Sequence, residues 1–241
     1  SIGSDAQNVR NAATDFLAAL KDTNSTLRIT RFSKTASQLA ARAPVNAQTI
    51  GPGGSLSNGV AAYPAPNGST NWQQGFALTE QNDTLTPELV LFVTDGDPTS
   101  WGTDGSGGTG QVQQPNIDNS LAQAIPVANS VKGPPNKTRV LMVGVGNGVN
   151  NANSRQRMTQ VSGPNIVTSA GGLVGKSIND VDVAAFTDFK ALGAFLRSVV
   201  TSLCGNSVTI QKLAQTSAGT EYVPATGWDM TVKPTVTGGY K

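Results

Sequence analysis

Two short, continuous apolar segments set the strongest limit on how this chain can fold. Residues 89–93 (LVLFV) and 139–145 (RVLMVGV) show no alternation of polar and apolar side chains. Such segments are typical of strands that are buried on both faces of a parallel sheet. Apolar residues at helical spacing occur in segments 4–20, 117–132 and 188–203. Strands that alternate with helices predict an α/β fold, a Rossmann-like and mostly parallel sheet flanked by helices.

Shorter segments complete this predicted domain. Gly, Pro, Asn and Ser dominate residues 44–70, which predicts a long loop with at most a short ordered insert. Pro126 is expected to kink or split the helix at 117–132, because proline removes a helical hydrogen bond. We also predict strands at 26–32 and 182–186, helices at 71–80 and 154–161, and long loops at 34–69 and 99–116.

The composition excludes several classes of function. The 241 residues contain no histidine and one cysteine, so a Ser-His-Asp triad, a His-ligated zinc and a Cys-His dyad are ruled out. A formal net charge of +2, without a basic cluster, argues against nucleic-acid binding. Charged residues are 13% of the chain, against ~25% in an average soluble domain, which favours a secreted or cell-surface protein. No apolar run reaches the ~18 residues of a membrane span.

The character of the sequence changes after Cys204. Residues 208–212, 222–223 and 228–232 alternate at period two, which is typical of strands. The segment is much shorter than a β-sandwich of ~100 residues. We therefore predict an α/β domain over residues 1–204 and a truncated all-β module over residues 205–241.

Three oxygen-bearing residues are candidates for a metal site. Asp95 ends the strand at 89–94, Thr70 precedes the helix at 71–80, and Ser1 precedes the first helix. Ligands bind at the carboxyl ends of strands in open α/β sheets. Carboxylate and hydroxyl oxygens suit Mg²⁺, Mn²⁺ or Ca²⁺ rather than zinc. Simpler roles stay open: an ordinary turn at Asp95, a helix N-cap at Thr70 and a disordered terminus at Ser1.

The order of these motifs resembles a von Willebrand factor A domain. The sequence has SIGS at its start, GSTNWQQGF around Thr70, VLFVTDGDPT around Asp95 and RVLMVGVGNG at the next strand. The similarity is greatest to A domains of pilus-tip and surface adhesins of Gram-positive bacteria, of the actinobacterial type especially, and it covers nearly the whole chain.

The resemblance implies a metal-ion-dependent adhesion site. Thr70 and Asp95 correspond to its threonine and aspartate, and Ser1 to the last serine of its Asp-x-Ser-x-Ser motif. The aspartate and first serine of that motif, together with the first central strand of the sheet, are not in this sequence. We expect the chain to start within a longer protein; a cleaved but retained strand, or one donated by another chain, are the alternatives.

The function that the resemblance implies is binding and not catalysis. A divalent cation would bind a carboxylate of a protein or glycan on a host or other surface, and other pilus or surface subunits are further partners. Asp97 would shape the field of the site without ligating the ion. The expected location is extracellular, on the cell wall or a pilus. The alternative is a structural component of a filament or stalk whose A-type domain uses no metal.

Two residues near the domain junction carry further expectations. Cys204 is the one cysteine; the resemblance implies a disulfide partner upstream of Ser1, and a lone buried thiol is the alternative. Lys212 lies in VTIQK, which resembles the first strand of a Cna-B-type sandwich. An isopeptide bond from this lysine is implied there, with an ordinary exposed lysine as the alternative.

Overall fold

A computed structural model describes most of the first 204 residues. The chain divides into two compact units, residues 1–203 and 204–241. In the second unit only the backbone of two short strands is described. The described residues are 5–21, 23–64, 68–81, 83, 85–169, 177–204, 213–215 and 222–224.

The first unit is an α/β domain, which confirms the predicted fold class. A parallel sheet of four strands has the order β3-β4-β6-β5, and β1 pairs antiparallel with β2 in a separate two-stranded sheet. The strands are β1 (Thr26–Phe32), β2 (Ala36–Pro44), β3 (Leu89–Thr94), β4 (Arg139–Val145), β5 (Ile166–Val167) and β6 (Val183–Phe186).

Helices cover both faces of the parallel sheet. They are α1 (Ala6–Leu20), α2 (Ala47–Ile50), α3 (Ser55–Ala61), α4 (Trp72–Glu80), α5 (Gln114–Lys132), α6 (Ala152–Val161) and α7 (Phe189–Cys204). The central strand β4 divides the core, with Leu141 and Val143 on the side of α1 and α7, and Val140 and Met142 on the side of α4, α5 and α6. None of the helices in the described part of the chain is long and apolar enough to cross a membrane.

Two sequence-based expectations about the first unit, one long loop at 34–69 and a split helix at Pro126, are wrong. Residues 34–69 are not one long loop, because they contain β2, α2 and α3. Pro126 does not split α5, which is a single helix of 19 residues. Ala124 and Ala128, on either side of the proline, are both fully buried in the same core cluster.

Glycine at position 75 lets α4 approach the sheet closely. A Cβ at Gly75 would lie 2.6 Å from the Phe92 ring and 3.1 Å from the Phe32 ring. These two rings stack with their centroids 4.6 Å apart, and Phe76 stacks on the other side of Phe92 at 4.1 Å. The aromatic cluster therefore joins α4 to both β1 and β3.

A cavity of about 1030 Å³ lies between β1 and β3, and we call it the slot. All residues of β1 and of β3 line it, and α1 contributes Phe16 and Leu17. Ser69, Thr70, Asp95 and Gly96 line the end of the slot at which β3 stops.

The second unit is described only in part. Strand β7 (Leu213–Gln215) pairs antiparallel with β8 (Tyr222–Pro224) as a small hairpin. The alternating segments at 208–212 and 228–232 lie outside the described residues.

Candidate metal-binding site

Asp95 lies immediately after β3, in a turn that side chains of the core hold in place. The Thr94 hydroxyl donates a hydrogen bond to the Gly96 carbonyl (2.9 Å) and accepts one from the Trp72 indole N–H (3.2 Å). Trp72 is fully buried at the start of α4. The loop after β4 also approaches closely, since a Cβ at Gly148 would lie 2.4 Å from the Asp95 carbonyl oxygen. The backbone at Asp95 is therefore fixed from two sides.

Thr70 lies beside this turn because its backbone is bonded to the loop that follows β3. Its N–H donates to the Thr99 hydroxyl (3.0 Å), and its carbonyl accepts from the Thr99 and Ser100 N–H groups (2.8 and 3.2 Å). The Thr70 Oγ1 atom then lies 3.6 Å from the position that a Cβ would take on Gly96. The structure thus brings together two of the three residues predicted from sequence, Thr70 and Asp95.

The alternative role of Thr70 as a helix N-cap is wrong. Asn71 caps α4, and its side chain accepts a hydrogen bond from the Gln74 N–H (3.0 Å). The Asn71 amide group also donates to the carbonyls of Lys34 and Gly102 (3.0 and 3.1 Å). Asn71, which is fully buried, therefore caps the helix and also binds it to two loops. The Thr70 hydroxyl is therefore not engaged as the cap.

The negative charge of Asp95 affects the pKa of a neighbouring tyrosine, Tyr63. Burial, and after it the Asp95 carboxylate, raise the pKa of Tyr63 to about 12, while Arg10 and Arg31 act in the opposite direction. Arg10 also donates a hydrogen bond from its guanidinium to the Tyr63 carbonyl (3.0 Å). Nothing in the loop-like sequence around Tyr63 had indicated that it lies near Asp95.

Asp97 has a different environment from Asp95. Its Oδ2 atom accepts hydrogen bonds from the Ser154 hydroxyl (2.8 Å) and the Arg157 guanidinium (2.6 Å), both on α6. Its Oδ1 atom is buried and has no hydrogen-bond partner among the described residues. Burial raises the pKa of Asp97, and the bonds from Ser154 and Arg157 oppose that shift. Asp97 therefore ties the turn to α6.

The buried side-chain amide of Asn116 holds the loop that follows the Asp95 turn. Asn116, in the first turns of α5, donates to the carbonyls of Thr99 (2.7 Å) and Gln111 (2.8 Å). Its side-chain oxygen accepts from the Thr109 N–H (3.0 Å). Residues 99–116 thus have a defined path beside the Thr70 backbone.

The oxygen atoms at this site have the ligand type that a hard divalent cation prefers, but they are too few to complete its coordination. A carboxylate at Asp95 and a hydroxyl at Thr70 are oxygen ligands of the type that Mg²⁺, Mn²⁺ and Ca²⁺ prefer. Such ions take about six or more oxygen ligands, so these two residues make part of a coordination sphere. No group of three or more His, Cys, Asp or Glu side chains that could hold a metal occurs among the described residues.

Three predicted functional residues lie wholly or partly outside the described structure. Ser1 and Lys212 are not among the described residues. Cys204 is the last residue of α7, but its side chain is not described. The metal, isopeptide and disulfide roles of these residues stay predictions.

Comparisons with known proteins bear on the fold. No protein-family model matches the chain, and no curated protein matches it. Among solved structures, a mutant of the PilB minor pilin from Streptococcus sanguinis is similar, with a TM-score of 0.57 and 12% sequence identity. The match covers 83% of this chain and 54% of that chain, so this chain spans about half the length of the pilin. At this identity the similarity shows the fold alone, a parallel α/β sheet flanked by helices that is consistent with a von Willebrand A-type domain.

Proposed function

We propose that this chain is the adhesion module of an extracellular surface or pilus protein. It binds a carboxylate of a protein or glycan through a divalent cation that Thr70 and Asp95 help to hold. One observation carries the proposal: the Thr70 hydroxyl lies beside the Asp95–Gly96 turn, 3.6 Å from the Gly96 Cβ position, at the carboxyl end of β3. Ligand sites of open α/β sheets lie at this edge.

The two side chains have distinct tasks in this function. Asp95 supplies the negative charge that attracts the cation, and Thr70 supplies a neutral oxygen. A cation held by these residues would have a coordination position left for a carboxylate of the partner. Ser1 is the third proposed ligand. The hydrogen bonds between the Thr70 backbone and Thr99 fix this segment in advance, so little loop ordering has to occur on binding.

Three observations support a surface location and a binding role. The fold is similar to that of a bacterial minor pilin, and the low content of charged residues is common in secreted proteins. The sequence has no histidine to act as the base for a serine or cysteine nucleophile.

The same proposal includes the organisation of the chain. Residues 1–204 form the A-type domain, and residues 205–241 begin a Cna-B-like β-sandwich stalk. Within that stalk Lys212 is a candidate for an isopeptide bond, and Cys204 at the junction is a candidate for a disulfide.

Metal binding by the full chain and four variants tests the cation site. We expect Asp95→Asn and Thr70→Val each to weaken Mn²⁺ binding, measured by calorimetry, by about tenfold or more, which corresponds to ~1.4 kcal/mol. The matched controls are Asp118→Asn and Thr86→Val, which make the same changes at exposed positions. Unchanged Mn²⁺ affinity in both site variants, or an equal loss in the controls, would overturn the assignment.

Adhesion to a carboxylate-bearing surface tests the second half of the proposal. We expect the chain to bind beads coated with poly-L-glutamate in Mg²⁺, and to release them in EDTA. Asp95→Ala should abolish the Mg²⁺-dependent binding, and Asp118→Ala should leave it intact. Binding that EDTA does not affect would instead favour a filament or stalk component whose A-type domain uses no metal.

A further inference from the structure

The loop that follows β4 carries an asparagine–glycine pair beside the Asp95 turn. Asn147 and Gly148 are both exposed, whereas the next residue, Val149, is fully buried and anchors the loop in the core. Gly148 lines the end of the slot that also contains Thr70 and Asp95, and a Cβ on Gly148 would lie 2.4 Å from the Asp95 carbonyl oxygen. The pair is therefore a direct neighbour of the candidate metal site.

The two groups of this pair that can react with each other are not engaged in the described part of the chain. Neither the Asn147 side-chain amide nor the Gly148 N–H forms a hydrogen bond with a described residue. The Gly148 carbonyl accepts long hydrogen bonds, from the Asn151 amide (3.5 Å) and the Ser154 hydroxyl (3.3 Å). Because glycine has no Cβ, no side chain shields the Gly148 nitrogen or restricts its backbone. This nitrogen is therefore accessible to the side chain that precedes it.

An asparagine in this setting loses its amide nitrogen by an intramolecular reaction. Water removes the Gly148 amide proton, and the nitrogen attacks the Asn147 Cγ atom. A bond forms between these two atoms, the bond from Cγ to Nδ2 breaks, and the side-chain nitrogen takes up a proton and leaves as ammonia. Water then opens the five-membered imide at either carbonyl, which gives aspartate or isoaspartate at position 147. The neutral amide becomes a carboxylate, and water is the one reagent consumed.

A second asparagine–glycine pair provides a comparison within the same chain. Asn58 and Gly59 lie inside α3, and the Asn58 amide donates a hydrogen bond to the Gly53 carbonyl (3.0 Å). Gly59 is buried, and a Cβ on it would lie 2.7 Å from the Ala40 side chain. Ring closure requires the backbone to leave its helical conformation, so Asn58 reacts only after α3 opens locally, and the free energy of that opening slows the reaction. Asn147 lies outside the helices and strands and needs no such opening.

We propose that Asn147 is a deamidation site, at which the chain gains a carboxylate beside the Asp95 turn. The reaction needs water and no enzyme, so its product accumulates with the age of the protein. The site consists of the exposed pair Asn147 and Gly148. This assignment does not depend on the proposed metal site.

The consequence of deamidation for cation binding rests on the proposed function. Thr70 and Asp95 supply fewer oxygen ligands than a divalent cation takes. A carboxylate at position 147 adds a negative charge to the loop that contacts the Asp95 backbone. Even at about 10 Å, the attraction between such a charge and a divalent ion raises affinity severalfold at low ionic strength. Deamidation therefore strengthens cation binding as the protein ages.

Mass spectrometry of the full chain, incubated at mildly alkaline pH and then digested, tests the proposal. The readout is the rate at which each asparagine amide becomes a carboxylate, with fragment spectra that assign the change to a residue. We expect Asn147 to react at least about tenfold faster than Asn58, and the two rates to converge in urea, which unfolds α3. Equal rates in the folded chain, a difference that persists in urea, or a change confined to Asn150 or Asn151 in the same loop overturns the proposal.

Calorimetry with Mn²⁺ tests the consequence for cation binding on three variants of the full chain. Asn147→Asp carries the carboxylate from the start, and Asn147→Gln keeps a neutral amide that closes a ring far more slowly. Asn129→Asp adds the same charge at an exposed position in the last part of α5. We expect Asn147→Asp to bind Mn²⁺ about two- to tenfold more tightly than Asn147→Gln, and Asn129→Asp to leave the affinity unchanged.

The two measurements separate this proposal from the proposed function. Equal Mn²⁺ affinities of Asn147→Asp and Asn147→Gln, or an equal gain from Asn129→Asp, overturn the effect on cation binding. If no form of the chain binds Mn²⁺, the proposed function fails, and the deamidation rates alone still decide whether Asn147 is the reactive site.

Discussion

The hydroxyl of Thr94 connects the first turn of α4 to the turn that carries Asp95, and Thr94→Val tests this connection. The hydroxyl accepts from the Trp72 indole N–H and donates to the Gly96 carbonyl. Valine has nearly the same shape but can do neither. Because Trp72 is fully buried and Thr94 is 2% exposed, water cannot replace the lost partner.

The expected loss of stability follows from these two bonds. A buried donor without a partner costs about 1–3 kcal/mol, and the lost bond to the Gly96 carbonyl adds about 0.5–1.5 kcal/mol. We therefore expect Thr94→Val to lower the free energy of unfolding by about 2–4 kcal/mol. Urea unfolding followed by circular dichroism at pH 7 measures this difference.

A double-mutant cycle with Trp72→Phe separates the indole bond from packing. Trp72→Phe alone loses apolar volume in the core, at a cost of about 1–3 kcal/mol. The double variant has no indole N–H to leave unpaired. Its loss in free energy of unfolding should therefore be smaller than the sum of the losses of the two single variants by about 1–2 kcal/mol. Additive losses, or a Thr94→Val loss below about 0.5 kcal/mol, would show that the indole bond does not stabilise the turn.

Two further predictions concern charges around the site. Arg157→Met leaves the buried Asp97 carboxylate without its cation, and should cost about 3–5 kcal/mol near pH 7. Burial already raises the pKa of Asp97, so its carboxyl takes up a proton more readily in the folded state. The loss of stability should therefore shrink as the pH falls toward 4. An equal loss at pH 7 and at pH 4 would contradict this. Asp95→Asn removes the charge that opposes ionisation of Tyr63, so the pKa of Tyr63 should fall below about 12 in an ultraviolet absorbance titration. The control Asp118→Asn should leave that titration unchanged, and a shift of equal size there would refute the proximity of Asp95 to Tyr63.

The sequence was informative where burial alone decides the structure. The continuous apolar segments became β3 and β4, because strands of a parallel sheet that helices cover on both faces need apolar side chains on both faces. Strand β2 (ASQLAARAP) has no β-branched residue, and its pattern could not predict a strand. It is extended because it pairs with β1, which is a tertiary effect that outweighs local propensity.

The candidate site could be predicted only as far as the strand ends define it. Asp95 directly follows a strand, and Thr70 precedes a helix that packs on the same sheet, so their proximity follows from the α/β architecture. The roles of Tyr63 and Asn71 depend on the path of loops that carry no periodic pattern. The cap of α4 is Asn71 and not Thr70, the alternative that the sequence left open, because Asn71 is also held by the carbonyls of Lys34 and Gly102 in distant loops.

The slot and the candidate site share one end, and this has a consequence for how the site forms. Thr70 reaches the site from the β1 side of the slot, through Asn71 and Ser33, whereas Asp95 is the direct continuation of β3. Hydrogen bonds between the Thr70 backbone and Thr99, in the loop after β3, already hold these two sides together. The spacing of Thr70 and Asp95 therefore depends on this loop as well as on β1 and β3. Because a divalent cation takes more oxygen ligands than these two residues supply, its site would also depend on groups beyond this pair.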